Sequence, residues 1–127
     1  MRRLRPAARL AAAAALAAVA LATLAAEAIP SPDERSVDRG AAVFQRYCAL
    51  CHGPKGEGDG RAAKTHKPPP ANLVKSTYPD AYKELIIRRG GVGVGRSPFM
   101  PPWGDELSNQ QIRDLLSYLR RIQAART

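Results

Sequence analysis

From Gly53 to Tyr78 the chain has no hydrophobic period at all. These 26 residues hold four glycines and four prolines. Pro68-Pro69-Pro70 excludes a helix there, because proline lacks an amide hydrogen and biases the residue before it toward extended backbone. A structureless run of this length is uncommon in a compact domain. It is compatible with a stable fold when it wraps something that takes the place of a protein core.

The remainder of the chain has little core to spare. Its 127 residues are 45% hydrophobic, an ordinary globular composition for one small domain. Much of that hydrophobicity sits at the start. Residues 10–26 form a weakly apolar run containing eleven alanines, preceded by Arg2, Arg3, Arg5 and Arg9 and followed by Ala26-Glu27-Ala28. A basic start, an apolar middle and a small-x-small exit make residues 1–28 a secretory signal peptide, cleaved after Ala28. The alternative is an uncleaved membrane anchor, the one route to membrane contact. Alanine contributes little to insertion, however, and a spanning helix needs about 20 apolar residues. Cleavage leaves Ile29–Thr127, a length at which a single core is marginal and a disulfide, a metal or a buried cofactor is expected as a staple. Cys48 and Cys51 are too close together to brace a fold, so a cofactor is the natural expectation.

Charge narrows the partners. The chain carries +9, from 20 basic and 11 acidic residues, and loss of four arginines and Glu27 with the leader leaves +6. A basic surface suits nucleic acid, anionic lipid or an acidic protein. Export and the lack of basic residues interleaved with aromatics speak against nucleic acid.

Residues 29–35, with two prolines and two acids, read as a flexible lead-in to a domain over 36–124. A helix is expected from Ser36, an N-cap with Asp38 in the first turn. Val37, Ala41, Phe44 and Cys48 share one face of it. Gly40 lies on that side, and a glycine costing about 1 kcal/mol relative to alanine inside a helix suggests a close crossing. A second helix fits Pro79–Arg89. Pro79 suits its first position, Tyr82, Leu85 and Ile86 form its apolar stripe, and Gly90 stops it. Gly91–Gly95 lacks the spacing and the preceding strand of a dinucleotide fingerprint. Ser97–Gly104 holds three prolines and must be extended or turning. The last helix starts at Ser108, where Ser108 and Gln111 can form a capping box, and Ile112, Leu115, Leu116, Leu119 and Ile122 give its stripe with Tyr118 at the edge. No segment alternates as a strand does, so the fold class is all-α, with long ordered loops.

Cys48-Ala49-Leu50-Cys51-His52 is the strongest signal in the chain. It is C-x-x-C-H, the c-type haem attachment sequence. Two thiols three residues apart lie on one helical side and can add to the two vinyl groups of haem, and His52 can then supply the proximal imidazole. Three other readings use the same residues. A dithiol redox site expects a βαβ context that is missing here, and a structural zinc site needs four ligands where, methionine apart, His66 alone remains as a further nitrogen or sulfur donor. A plain disulfide leaves His52 unexplained. For the sixth ligand Met100 is the first candidate, the lone methionine after leader cleavage, stiffened by prolines on both sides. His66 is the rival, but it sits in a polar loop where a solvent-exposed role is expected.

With Gly56-Glu57-Gly58-Asp59-Gly60, Pro68-Pro69-Pro70-Ala71-Asn72-Leu73 and Met100-Pro101-Pro102-Trp103-Gly104 in that order after the haem motif, the chain resembles a bacterial single-haem class I c-type cytochrome from Ser36 to Ile122. The resemblance implies a compact class I cytochrome c fold, three main helices and long loops around one covalent haem c. It implies that the first and last helices cross through Gly40, Phe44 and Tyr118. It implies that a proline carbonyl, best matched by Pro70, orients His52, with Ala71 as a departure from the commoner Pro-Asn-Leu order. Leu73 would pack on the haem, and Trp103 would bury its ring nearby and donate to a propionate, or pack in the core. The function expected is that of a periplasmic one-electron carrier with His52 and Met100 as axial ligands, docking on acidic patches of redox proteins such as an oxidase or a dehydrogenase. The alternatives are a cytochrome subunit dedicated to one dehydrogenase and, more distantly, a ligand-binding haem enzyme or sensor.

Overall fold

A computed structural model of the chain describes residues 32–125. The expected signal peptide and the first residues of the lead-in lie outside the described residues. Helix α1 runs over Pro32–Tyr47, the short α2 over Ala49–His52, α3 over Asp80–Arg89 and α4 over Asn109–Ala124, with single 3-10 turns at Ala63–Thr65 and Val92–Val94. The described residues contain no strand, and the class is all-α as expected. None of their helices is long and apolar enough to cross a membrane.

Helix α1 begins a turn earlier than the sequence pattern suggests. Pro32–Arg35, expected as part of a flexible lead-in, is helical, with Asp33 and Glu34 in the first turn, where acids complement the helix dipole. Ser36 is therefore not the N-cap. Its hydroxyl instead donates to Asp114 Oδ1 on α4 at 2.6 Å, a tertiary partner that local pattern could not reveal.

The core is the crossing of α1 and α4. A Cβ on Gly40 would overlap the Asp114 backbone carbonyl and come within 2.9 Å of the Tyr118 Cβ, so the backbones touch where the glycine sits. One turn on, Phe44 is fully buried and its ring centroid lies 5.1 Å from that of Tyr118. Val43, Ile87, Leu107, Ile112, Leu115, Leu116 and Leu119 complete the core. Each such side chain contributes about 1.5–3 kcal/mol by leaving water. Asp114 lies 2% exposed at the crossing. It is satisfied by Arg39, whose Nε and Nη2 donate to its two oxygens at 2.7 and 2.9 Å, and by Ser36 and Gln110.

Two caps match their signals. Ser108 and Gln111 form the reciprocal capping box of α4. Gly90 ends α3 at φ +68°, and its amide donates to the Ile86 carbonyl at 2.8 Å. Pro79 is the N-cap of α3 rather than its first helical residue. The buried face of α3 also differs from the expected stripe. Ile87 enters the core while Leu85 is 38% exposed, because three adjacent apolar residues leave the inward face open to tertiary choice.

The aperiodic run is ordered by backbone bonds rather than by a hydrophobic period. The amides of Gly58, Gly60 and Ala62 donate to the carbonyls of His52, Cys51 and Leu50, and that of Leu73 to Gly56 at 2.7 Å. Gln123, on α4, donates through Nε2 to the Leu73 and Ser76 carbonyls, both at 3.0 Å.

Candidate haem site

The turn that carries both thiols is built by the end of α1. The Cys48 amide donates to the Phe44 carbonyl at 2.9 Å, and the His52 amide to the Cys48 carbonyl at 2.8 Å. Cys48 thus sits at the head of α2, with Cys51 and His52 on its single turn. The two cysteines are free and half-buried. Burial, with the neighbouring Cys51 thiol adding to it, pushes the Cys48 thiol up to about 12. It stays protonated at neutral pH, a poor starting point for disulfide exchange or zinc binding, both of which need thiolate.

His52 is held from behind. Its Nδ1–H donates to the Ala71 carbonyl at 2.9 Å, which leaves the Nε2 lone pair as a ligand. Burial pushes the imidazole below its ordinary pKa, against a smaller opposing effect of the Ala71 bond, so the ring is neutral at neutral pH as ligation requires. The acceptor is therefore Ala71 and not Pro70. The Pro70 carbonyl packs toward Gly58 instead, 2.8 Å from where a Cβ there would stand. Asn72 Oδ1 accepts from the Lys75 amide at 3.1 Å and closes the following turn. The extra alanine between the prolines and Asn72-Leu73 thus moves the acceptor along by one residue. Leu73 is partly buried and packs against the core.

The strip bearing Met100 is fastened to the end of α3. The Trp103 amide donates to the Ile87 carbonyl at 2.8 Å and the Gly104 amide to Arg88 at 3.1 Å. The Met100 carbonyl accepts from Gly91 at 2.8 Å, and the Met100 side chain is half-buried. Gly90 has no room for a side chain there, since a Cβ would meet the Pro102 nitrogen at 2.7 Å and the Met100 carbonyl at 2.8 Å. Trp103 is brought to the thiol turn through Tyr47, the residue before Cys48, with ring centroids 5.2 Å apart. His66 is not the solvent-exposed residue that its polar loop suggests. It is half-buried, with its ring 4.4 Å from that of Phe99, a contact between distant loops that leaves no pattern in the sequence.

These residues fit covalent haem: two thiols on one turn, and a neutral imidazole oriented by a backbone carbonyl. An all-α fold closed by a Gly–aromatic crossing, with this turn at its centre, defines a c-type cytochrome domain. The family model described as cytochrome c oxidase, cbb3-type, subunit III matches residues 35–119, and the chain belongs to that family. It is also similar to one of the subunits of nicotinate dehydrogenase from Pseudomonas putida (strain KT2440), 32% identical over 108 residues. That match covers 80% of this chain but 9% of the relative. Membership implies haem c and a part in electron transfer.

Proposed function

We propose that the chain is a periplasmic one-electron relay, with haem c joined through Cys48 and Cys51 and ligated by His52 and Met100. The observation that carries this reading is the His52 Nδ1 bond to the Ala71 carbonyl, which supplies an oriented, neutral imidazole beside two thiols. Haem held by Cys48, Cys51, His52 and Met100 would supply a one-electron iron couple, with the methionine thioether favouring a higher potential. The chain's own part is to fix His52, to hold Met100 on a strip stiffened by Pro98, Pro101 and Pro102, and to keep water from the site. The test adds carbon monoxide to the reduced, haem-loaded protein. An unchanged visible spectrum supports a closed iron and electron transfer, and rapid, tight binding refutes the closed iron.

Charge supports a transient acidic partner. Gly60–Gly104, the stretch that holds Ala71 and Met100, contains eight basic residues and two acids. Both acids, Asp80 and Glu84, are already ion-paired. The other described residues are nearly balanced, with seven basic residues and eight acids. Docking through this basic segment loses rate as salt is added. Electron transfer to a cognate partner that ignores ionic strength would remove the steering claim.

The similarity to part of a dehydrogenase supports a second reading, a domain dedicated to one dehydrogenase. Gel filtration of the native protein separates the two. A small monomer supports the mobile carrier, and co-elution with a dehydrogenase supports the dedicated subunit.

A further inference from the structure

The loop that delivers Met100 is intrinsically loose. Gly91, Gly93 and Gly95 fall within five residues, and glycine loses more conformational freedom on ordering than any other residue. Backbone bonds close the loop on itself: the Arg96 amide donates to the Gly91 carbonyl at 2.7 Å, and the Gly91 amide to Met100 at 2.8 Å. The Gly91 bond holds the Met100 backbone at the end of α3, and neither bond ties residues 92–99, which lie between, to the rest of the protein. Phe99 rests on His66 through a ring contact alone.

Arg96 reaches something fixed. Its Nη2 donates to the Tyr78 hydroxyl at 2.7 Å and its Nε to the Tyr82 hydroxyl at 3.3 Å. The two tyrosine rings stack with centroids 4.7 Å apart, across the start of α3. That end of α3 is pinned to α4, where Asp80 pairs with Arg120 and Lys83 Nζ donates to Gln123 at 3.0 Å.

Resting on the proposed Met100 ligation, we infer that Arg96 is a positioning residue for the sixth ligand, clamping the Met100 loop to the Tyr78–Tyr82 pair. Release of the clamp raises the fraction of molecules with Met100 away from the iron. The apparent affinity of an external ligand rises by the same factor, because it scales with the population competent to bind.

The probe is azide, titrated into the ferric, haem-loaded protein. Arg96→Ala raises azide affinity about tenfold, the scale of two hydrogen bonds from a charged donor reduced by exposure. Tyr78→Phe and Tyr82→Phe keep the stacked rings and raise it less, and their double variant approaches Arg96→Ala. Arg96→Lys retains the charge but not the two-pronged reach, and recovers only part of the loss. Helical circular dichroism stays at the wild-type value in all of these. Met100→Ala separates the two claims. Wild type binding azide as readily as Met100→Ala overturns the ligand assignment and the clamp with it. Met100→Ala opening the iron, with Arg96→Ala and the double tyrosine variant unchanged from wild type, overturns the clamp alone.

Discussion

Tyr47 and Trp103 meet edge to face, their ring centroids 5.2 Å apart and their planes at 65°. One residue precedes the first thiol of the haem motif and the other follows Met100 by three positions. The contact couples the two sides of the site through a pair of rings. Aromatic pairs in this geometry contribute about 1 kcal/mol beyond their burial. In urea unfolding of haem-loaded protein, Tyr47→Leu, Trp103→Leu and the double variant give a coupling of about 1 kcal/mol. Additive effects would show that the rings are neighbours without interaction.

Gly40→Ala tests the helix crossing. Alanine is the better helix former by about 1 kcal/mol, yet its methyl has to displace the Asp114 carbonyl. The crowding outweighs the propensity, and the variant loses about 2 kcal/mol in denaturant unfolding. Equal or higher stability would mean that α1 and α4 separate without cost.

Asp114 sets an acid limit. The Arg39 guanidinium, helped by Ser36 and Gln110 and opposed by burial, holds its carboxyl down at about 2. An unfolded aspartate titrates near about 3.9. The folded value is the lower one, so the stabilisation is complete above about pH 4 and drains away as pH falls through the folded value. The urea midpoint drops between about pH 4 and pH 2, and Asp114→Asn removes that share of the slope. An unchanged slope in the variant would assign the acid sensitivity to other carboxylates.

Cys48→Ala and Cys51→Ala each cut covalent haem loading, and the pyridine haemochrome band of what does load shifts toward that of a haem with one free vinyl group. The double variant carries no covalent haem and is unstable to mild heating. Full covalent loading of the double variant would refute the attachment assignment.

The legible parts of this protein are those whose physics is local. The capping box of Ser108 and Gln111 is a four-residue event, and the stripe of α4 follows from its own period. Gly40 could be read because a helical glycine demands a reason, and the resemblance supplied the crossing partner. What stayed hidden depends on contacts across the fold. The start of α1 moved because Ser36 found Asp114 rather than a cap. Ile87 replaced Leu85 as the inward residue because a run of adjacent apolar side chains does not specify a face. The acceptor for His52 shifted from Pro70 to Ala71 because the path of a proline-rich loop is set by where its neighbours bond. Arg96 with its two tyrosines, and His66 with Phe99, join segments that share no motif.

The α1–α4 crossing also bears on how the protein is made. Gly40 and Phe44 lie just ahead of the thiols, while Asp114 and Tyr118, which cover them, each follow 74 residues later. A nascent chain therefore exposes Cys48–His52 with its supporting helix still uncovered on that side until α4 follows.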